Sequence, residues 1–286
     1  MLSALLLMII QQHLWPWLLF LFVAGGCLGS FLNVCVYRIP LGRSIVRPGS
    51  ACAACGAPIP AKWNLPMVSW LWLRGRAGCC GVCIEARYFW VELFSALLLP
   101  ALFLQYPPAT AAIYAFFLYG LLVASLIDID HFLIPDRFTV GGAVLGLVAS
   151  LAWPPLHGKA TTAFGASFNA GLGGLFVGGF LLWLVVVIGS KALKKEAMGL
   201  GDVKLLAAIG AFLGWQAVLF VIGVSSFLGS LFGVAMLARG RQSWGSRLPY
   251  GPFLALAALL WIFGGGGAAI RLIVWWRHSM GLAGGL

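Results

Sequence analysis

Met198-Gly199-Leu200-Gly201-Asp202-Val203-Lys204 puts a carboxylate at the mouth of an apolar run. One apolar run, 171 to 188, precedes it across a short basic link, and another, 205 to 221, follows. Gly199 and Gly201 remove side chains beside the acid, so a backbone or a substrate can come close. A second acidic stretch, Asp128-Ile129-Asp130-His131-Phe132-Leu133-Ile134-Pro135-Asp136, closes another apolar run. Two acids at membrane boundaries of one apolar chain point to a shared site.

The rest of the composition supports a membrane setting. Of 286 residues, 62% are hydrophobic and only 9% charged, with a mean hydropathy of +1.01. Soluble globular domains do not look like this. Several runs approach the roughly 20 residues that cross a bilayer as a helix. Alternation in segments of about 10 residues, the mark of a membrane β-barrel, is absent. The expected fold is an all-α polytopic membrane protein.

Eight spans are read, at 14–36, 89–104, 109–127, 138–153, 171–188, 203–213, 217–237 and 253–274. The sixth is short, and the eighth can break at Gly264 to Gly267. Residues 38–88 then form a small domain between the first span (1–37) and the remaining membrane core (89–286). No Lys or Arg precedes the first span, whereas Arg38, Arg43 and Arg47 follow it. A cleavable signal peptide carries its positive charge first, so this is an uncleaved span with its N-terminus outside. On eight spans the loops 38–88, 128–137, 189–202 and 238–252 face the cytoplasm. They hold Lys62, Arg74, Arg76, Arg87, Arg137, Lys191, Lys194, Lys195, Arg239, Arg241 and Arg247 beside those three arginines. The outside segments hold Lys159, with Arg271 and Arg277 near the C-terminal end. This obeys the positive-inside rule and places Asp128 and Asp202 at one membrane face. The net charge of +11 is therefore a topology signal and not a nucleic-acid signal.

Acids are scarce: Glu85, Glu92, Asp128, Asp130, Asp136, Glu196 and Asp202. Those beside apolar runs carry a raised expectation of function. Paired aspartates can hydrolyse a peptide bond, one taking a proton from water while the other donates to the carbonyl oxygen. The plainer reading is that each caps or anchors a helix, and an acid before a helix is favoured on that ground alone. Asp136, after Pro135, reads as the N-cap of the next span. His131 reads as a solvated loop residue or an acid–base helper.

Two C-x-x-C pairs, Cys52 with Cys55 and Cys80 with Cys83, sit in the loop 38–88. Four thiolates suit structural zinc, and a domain this small needs such a staple. The gap between the pairs is longer than usual, and Cys79 can replace Cys80. A redox dithiol is the alternative. Cys27 and Cys35 read as packing residues of the first span.

Together these residues resemble the bacterial type IV prepilin peptidases, which are also N-methyltransferases. Gly29-Ser30-Phe31-Leu32-Asn33-Val34, with Tyr37-Arg38, is similar to the family's opening motif. So are the paired cysteines, the run from Asn64 through Pro66 and Ser69-Trp70-Leu71 to Leu73-Arg74-Gly75, and Arg87-Tyr88 with Val91-Glu92. The second cysteine pair follows Gly75 later than the family pattern, which leaves Cys79 and Cys80 as alternatives. The resemblance implies that Asp128 and Asp202 are the catalytic pair. It implies cleavage of prepilin or pseudopilin leaders, of type IV pili or type II secretion, at the cytoplasmic face of the bacterial inner membrane. Methylation of the new N-terminus with S-adenosylmethionine would follow. Asn33, Arg38, Gly75 and Glu92 are the candidates for that donor's site. The implied partners are the substrates and membrane lipid.

Two other classes compete. A proton-coupled transporter also uses intramembrane acids, but these lie near one face and no inverted repeat is visible. A zinc-dependent sensor would need the cysteines and tolerate loss of both aspartates.

Overall fold

Each apolar run read from the sequence is helical in the computed structural model. It describes residues 2–158, 160, 162–193, 198–239, 248–265 and 267, with backbone alone for 2–13, 192, 193 and 265. The eighth run is thus described only in part. Lys159, Lys194, Lys195, Glu196, Arg241, Arg247, Arg271 and Arg277 lie outside the described residues.

The helices are α1 (Leu2–Arg38), α2 (Val68–Trp72), α3 (Ala86–Gln105), α4 (Pro108–His131) and α5 (Asp136–Ala152). They continue as α6 (Phe164–Leu193), α7 (Leu200–Leu213), α8 (Trp215–Ala238) and α9 (Gly251–Leu260). Among the described residues five segments are long and apolar enough to cross a membrane: Leu14–Arg38 of α1, α3, α4, Phe164–Lys191 of α6, and α8. Helices α5 and α7 have 17 and 14 residues, so two of the eight expected spans are shorter than a full crossing, while α9 covers only the described start of the eighth. After α9 the chain makes a π turn at Trp261–Gly265, where Gly264 has φ 114°, at the expected break.

The chain divides into two compact units, Met1–Tyr119 and Gly120–Leu286. In the first, α1 packs on α3 through small residues. A Cβ on Gly25 would lie 2.5 Å from the Ser95 carbonyl oxygen, and one on Gly29 would lie 2.8 Å from Glu92 Cα. That four-residue spacing of glycines lets two backbones approach closely where there is no hydrophobic drive between helices.

The second unit is built around α7. Leu205, Leu206, Ala208, Ile209, Gly210, Ala211, Phe212 and Leu213 are all buried. A helix apolar on every side belongs inside. Helices α5, α6, α8 and α9 all contact it. A Cβ on Gly146 of α5 would lie 2.8 Å from Ala211 Cβ, and one on Gly178 of α6 would lie 2.6 Å from the Leu206 carbonyl oxygen. Gly174 and Gly210 face each other across α6 and α7 with no room for any side chain.

Candidate active site

The central helix carries Asp202 in its first turn. Gly199 is the N-cap of α7, and the Asp202 N–H donates to the Gly199 carbonyl at 3.2 Å. Asp202 is thus the third residue of the helix and not the residue before it. Its side chain is 8% exposed, and Oδ1 has no hydrogen-bond partner among the described residues. A buried, unpartnered carboxylate oxygen is costly, so its retention points to a ligand, water or substrate.

Asp128 comes from the last turns of α4 and is 6% exposed. The backbone N–H of Gly251 donates to its Oδ2 at 2.9 Å. A Cβ on Gly251 would also meet that oxygen at 2.9 Å, so the close approach requires glycine there. Pro252 follows in the first turn of α9, where its fixed φ suits a helix start. The adjacent Tyr250 hydroxyl is 2.8 Å from Ser225 Oγ and 3.2 Å from Ser226 Oγ of α8, which tethers this helix start.

Ile134 joins the pieces. Cβ atoms placed on Gly201 and Gly251 would both lie 3.4 Å from its side chain. The loop between α4 and α5 therefore wedges against the starts of α7 and α9, and brings the Asp128 carboxylate and the turn that carries Asp202 to one side chain.

Asp130 and Asp136, the other acids of this stretch, lie outward. Asp136 is the first residue of α5, with Pro135 as the N-cap, so it is not itself the cap. Its Oδ1 accepts from Lys204 Nζ at 2.8 Å and from Thr139 Oγ1 at 3.3 Å. Asp130 and His131 are exposed in the last turn of α4.

The cysteines form a second centre, in the first unit. The Sγ atoms of Cys52, Cys55, Cys79 and Cys80 all lie within 4.8 Å of one another. Cys52–Cys80, Cys55–Cys79 and Cys79–Cys80 separations are 3.7, 3.4 and 3.8 Å. A tetrahedral ion with bonds of about 2.3 Å needs sulfurs about 3.8 Å apart, so this set can hold zinc.

Spacing pairs Cys80 with Cys83, whereas the structure groups Cys79 and Cys80 and leaves Cys83 outside the cluster. The reason is a repeated turn. Cys52 N–H to Ala57 O and Gly56 N–H to Cys52 O recur as Ala77 N–H to Val82 O and Gly81 N–H to Ala77 O. The bridge Ala51–Pro58 recurs as Arg76–Cys83. Cys80 therefore takes the place of Cys55, and Cys83 the place of Pro58, past the turn. Ala77 stands where Cys52 would be repeated, and the thiol comes from Cys79 instead. The backbone N–H groups of Cys55 and Ala54 pull the Cys52 thiol down to about 6. The hydrogen bond to Cys55 pushes the Cys79 thiol up to about 12.

The four donor-site candidates each hold structure. Asn33 Nδ2 donates to Tyr88 O at 3.2 Å. Arg38 donates to the carbonyls of Ser44, Pro48 and Gly49. Glu92 Oε2 accepts from the Met67 N–H at 2.6 Å. Gly75 has φ 69° against the Trp70 ring. Arg38 also lines a cavity of about 260 Å³ with Ser30, Phe31, Val34, Asn64 and Pro66. The other three are not in its lining.

A helical membrane protein with two carboxylates meeting at helix ends is the class that this fold and site define. The chain matches the bacterial peptidase A24 N-terminal domain over residues 23–106 and the type IV leader peptidase family over residues 115–234. It is 35% identical to a prepilin leader peptidase/N-methyltransferase of Aeromonas salmonicida, across 87% of this chain and 93% of that protein. The protein of that name from Pseudomonas aeruginosa is 36% identical, over 88% and 93%. That from Myxococcus xanthus is 41% identical, over 78% and 64%. No solved structure gives a significant match. The chain belongs to the type IV leader peptidase family.

Proposed function

We propose that Asp128 and Asp202 are the aspartyl dyad of a prepilin leader peptidase that also N-methylates its product. The observation that carries this is the pair of buried carboxylates around Ile134, one with an oxygen left without a partner among the described residues. The dyad shares one proton, and its titration belongs to the pair. The Gly251 N–H favours Asp128 as the carboxylate that takes a proton from water. Asp202 then donates to the scissile carbonyl oxygen. The substrate is a prepilin or pseudopilin, with a basic leader and an apolar helix after the cut. The N-terminus is periplasmic and the dyad faces the cytoplasm of the inner membrane, on the positive-inside argument.

The test is to incubate purified protein with a prepilin and S-adenosylmethionine and to weigh the products. Two products are expected, cleaved pilin first and its N-methylated form later. Intact prepilin across several substrates would remove this reading in favour of a transporter.

Gly251→Ala is expected to lower kcat about a hundredfold with KM little changed, since the added Cβ displaces the Asp128 carboxylate by a fraction of an ångström. Unaltered steady-state kinetics for this variant would count against the positioning role of the Gly251 N–H.

Zinc is the ion for the Cys52, Cys55, Cys79 and Cys80 set. One zinc per chain is expected by elemental analysis. Cys52→Ser or Cys79→Ser should lose it, while Cys83→Ser should keep it. Affinity should rise with pH, because zinc must displace thiol protons. Retention of zinc in Cys79→Ser with loss in Cys83→Ser would reverse the ligand assignment.

Our candidate site for the methyl donor is the cavity beside Arg38, whose lining joins the Phe31 ring to the Ser30 hydroxyl and the Asn64 amide. S-adenosylmethionine supplies an activated methyl group when bound. Asn33, Gly75 and Glu92 act by holding the walls, and Arg38 by fixing the 44–49 loop.

A further inference from the structure

The segment joining α1 to α3 contains an uncharged run, Leu65-Pro66-Met67-Val68-Ser69-Trp70-Leu71-Trp72-Leu73, between Lys62 and Arg74. Part of it turns inward. Ser69 is buried, and the Trp70 ring lies 5.2 Å from that of Phe89. The rest faces out: Leu65, Val68, Leu71 and Trp72 are 53%, 54%, 58% and 76% exposed. In water this would be an unexplained apolar face.

Its depth supplies the explanation. A Cβ on Gly26 would lie 3.2 Å from the Met67 methyl and 3.7 Å from Ala96 Cβ. Gly26 is the middle residue of the span Leu14–Arg38. Ala96 is at the middle of Ala86–Gln105. The Met67 side chain therefore reaches the mid-depth of the two packed spans. The Met67 backbone is bonded to Glu92, six residues into α3 and about 9 Å from its start at about 1.5 Å per residue.

The backbone is equipped for that depth. An amide without a partner in hydrocarbon costs several kcal/mol, about what excludes bare loops from a bilayer. The Leu65 N–H donates to Ser69 Oγ, and the Met67 N–H to the buried Glu92 carboxylate. The N–H groups of Ser69, Leu71 and Leu73 donate to the carbonyls of Leu65, Met67 and Ser69. Glu92 thus has a definite task, satisfying an amide at membrane depth. It makes no interfacial ion pair among the described residues, and its carboxylate also meets Ser30 in the wall of the cavity beside Arg38.

We propose that residues 64–73 form a re-entrant element that dips into the bilayer beside α1 and α3, with Leu65, Val68, Leu71 and Trp72 against lipid acyl chains. Lys62, Arg74 and Arg76 flank it and are exposed, as residues at the level of lipid phosphates are. Trp72 is the residue type favoured at this boundary. The proposal rests on the spans and not on the chemistry of the aspartates.

The test is collision accessibility of a genetically encoded spin label at Leu65, Leu71 or Trp72, in the full chain reconstituted into liposomes. Arg43, a charged and exposed residue of the 39–49 loop, is the aqueous reference. All four positions are exposed, so the label displaces no packing. Oxygen, which concentrates in lipid, should relax labels at 65, 71 and 72 several-fold more than at 43. A water-soluble nickel chelate should show the reverse order. Preference for nickel at 71 and 72 would mean an aqueous face and overturn the proposal. Low accessibility to both reagents would mean cover by protein, a second copy or a substrate helix, and would overturn it equally.

Discussion

Asp128→Asn and Asp202→Asn are each expected to lower prepilin cleavage at least about a thousandfold, in line with losses when a member of a catalytic unit is removed. The amide cannot take or give the shared proton, yet it keeps the shape of the carboxylate. Insertion and helix packing should therefore persist, and both proteins should reach the membrane at normal levels. The double variant should be no worse than either single one, because the pair acts as a unit. Methylation of a pilin supplied already cleaved should continue in all three. An immunoblot for mature pilin, with a parallel methyl-transfer assay, reads both outcomes. Cleavage that survives both substitutions would sink the dyad, and joint loss of both activities would point to misfolding.

Gly174→Val should, with Gly210→Val, be among the costliest single apolar changes at the described residues of the second unit. A Cβ on Gly174 would run into the Gly210 carbonyl, an atom of backbone that cannot turn aside. Helices α6 and α7 would have to part, at a cost on the order of 3 kcal/mol or more. A large fall in the melting temperature of detergent-solubilised protein is expected, with little protein in membranes. Gly173→Val is the matched control, because a Cβ there meets nothing within 4 Å. Equal melting of the two variants would mean that α6 and α7 are not locked through this contact.

Much of this was legible in the sequence, for a definite reason. Hydropathy places spans because hydrocarbon is a severe filter, and the helices fall on the runs that it marks. Asp128 and Asp202 stood out because seven acids in 286 residues leave few to choose from. The positions that escaped are set by tertiary contact. Gly251 acts through its backbone N–H, which leaves no trace in its identity beyond a glycine before a proline. Spacing pairs Cys83 with Cys80, whereas the phase of a repeated turn groups Cys79 with Cys80. Asp136 and Asp202 enter their helices one or more residues later than cap preference suggests, since Pro135 and Gly199 take the cap positions. The inward dip at Met67 depends on glycines of α1 that lie some forty residues earlier.

The brevity of α7 has a bearing on where the second reactant comes from. Fourteen residues rise about 21 Å, against about 30 Å of hydrocarbon in an ordinary bilayer. With Asp202 in its first turn, this helix cannot hold its acid at one membrane surface and reach the other. Because α5, α6, α8 and α9 cover α7, the shortfall of about 9 Å falls inside the bundle and need not thin the bilayer. A funnel of solvent at the Asp202 end would deliver water to a peptide bond otherwise shielded by lipid. On the proposed mechanism, lengthening α7 by a turn would be a change in hydration as much as in structure.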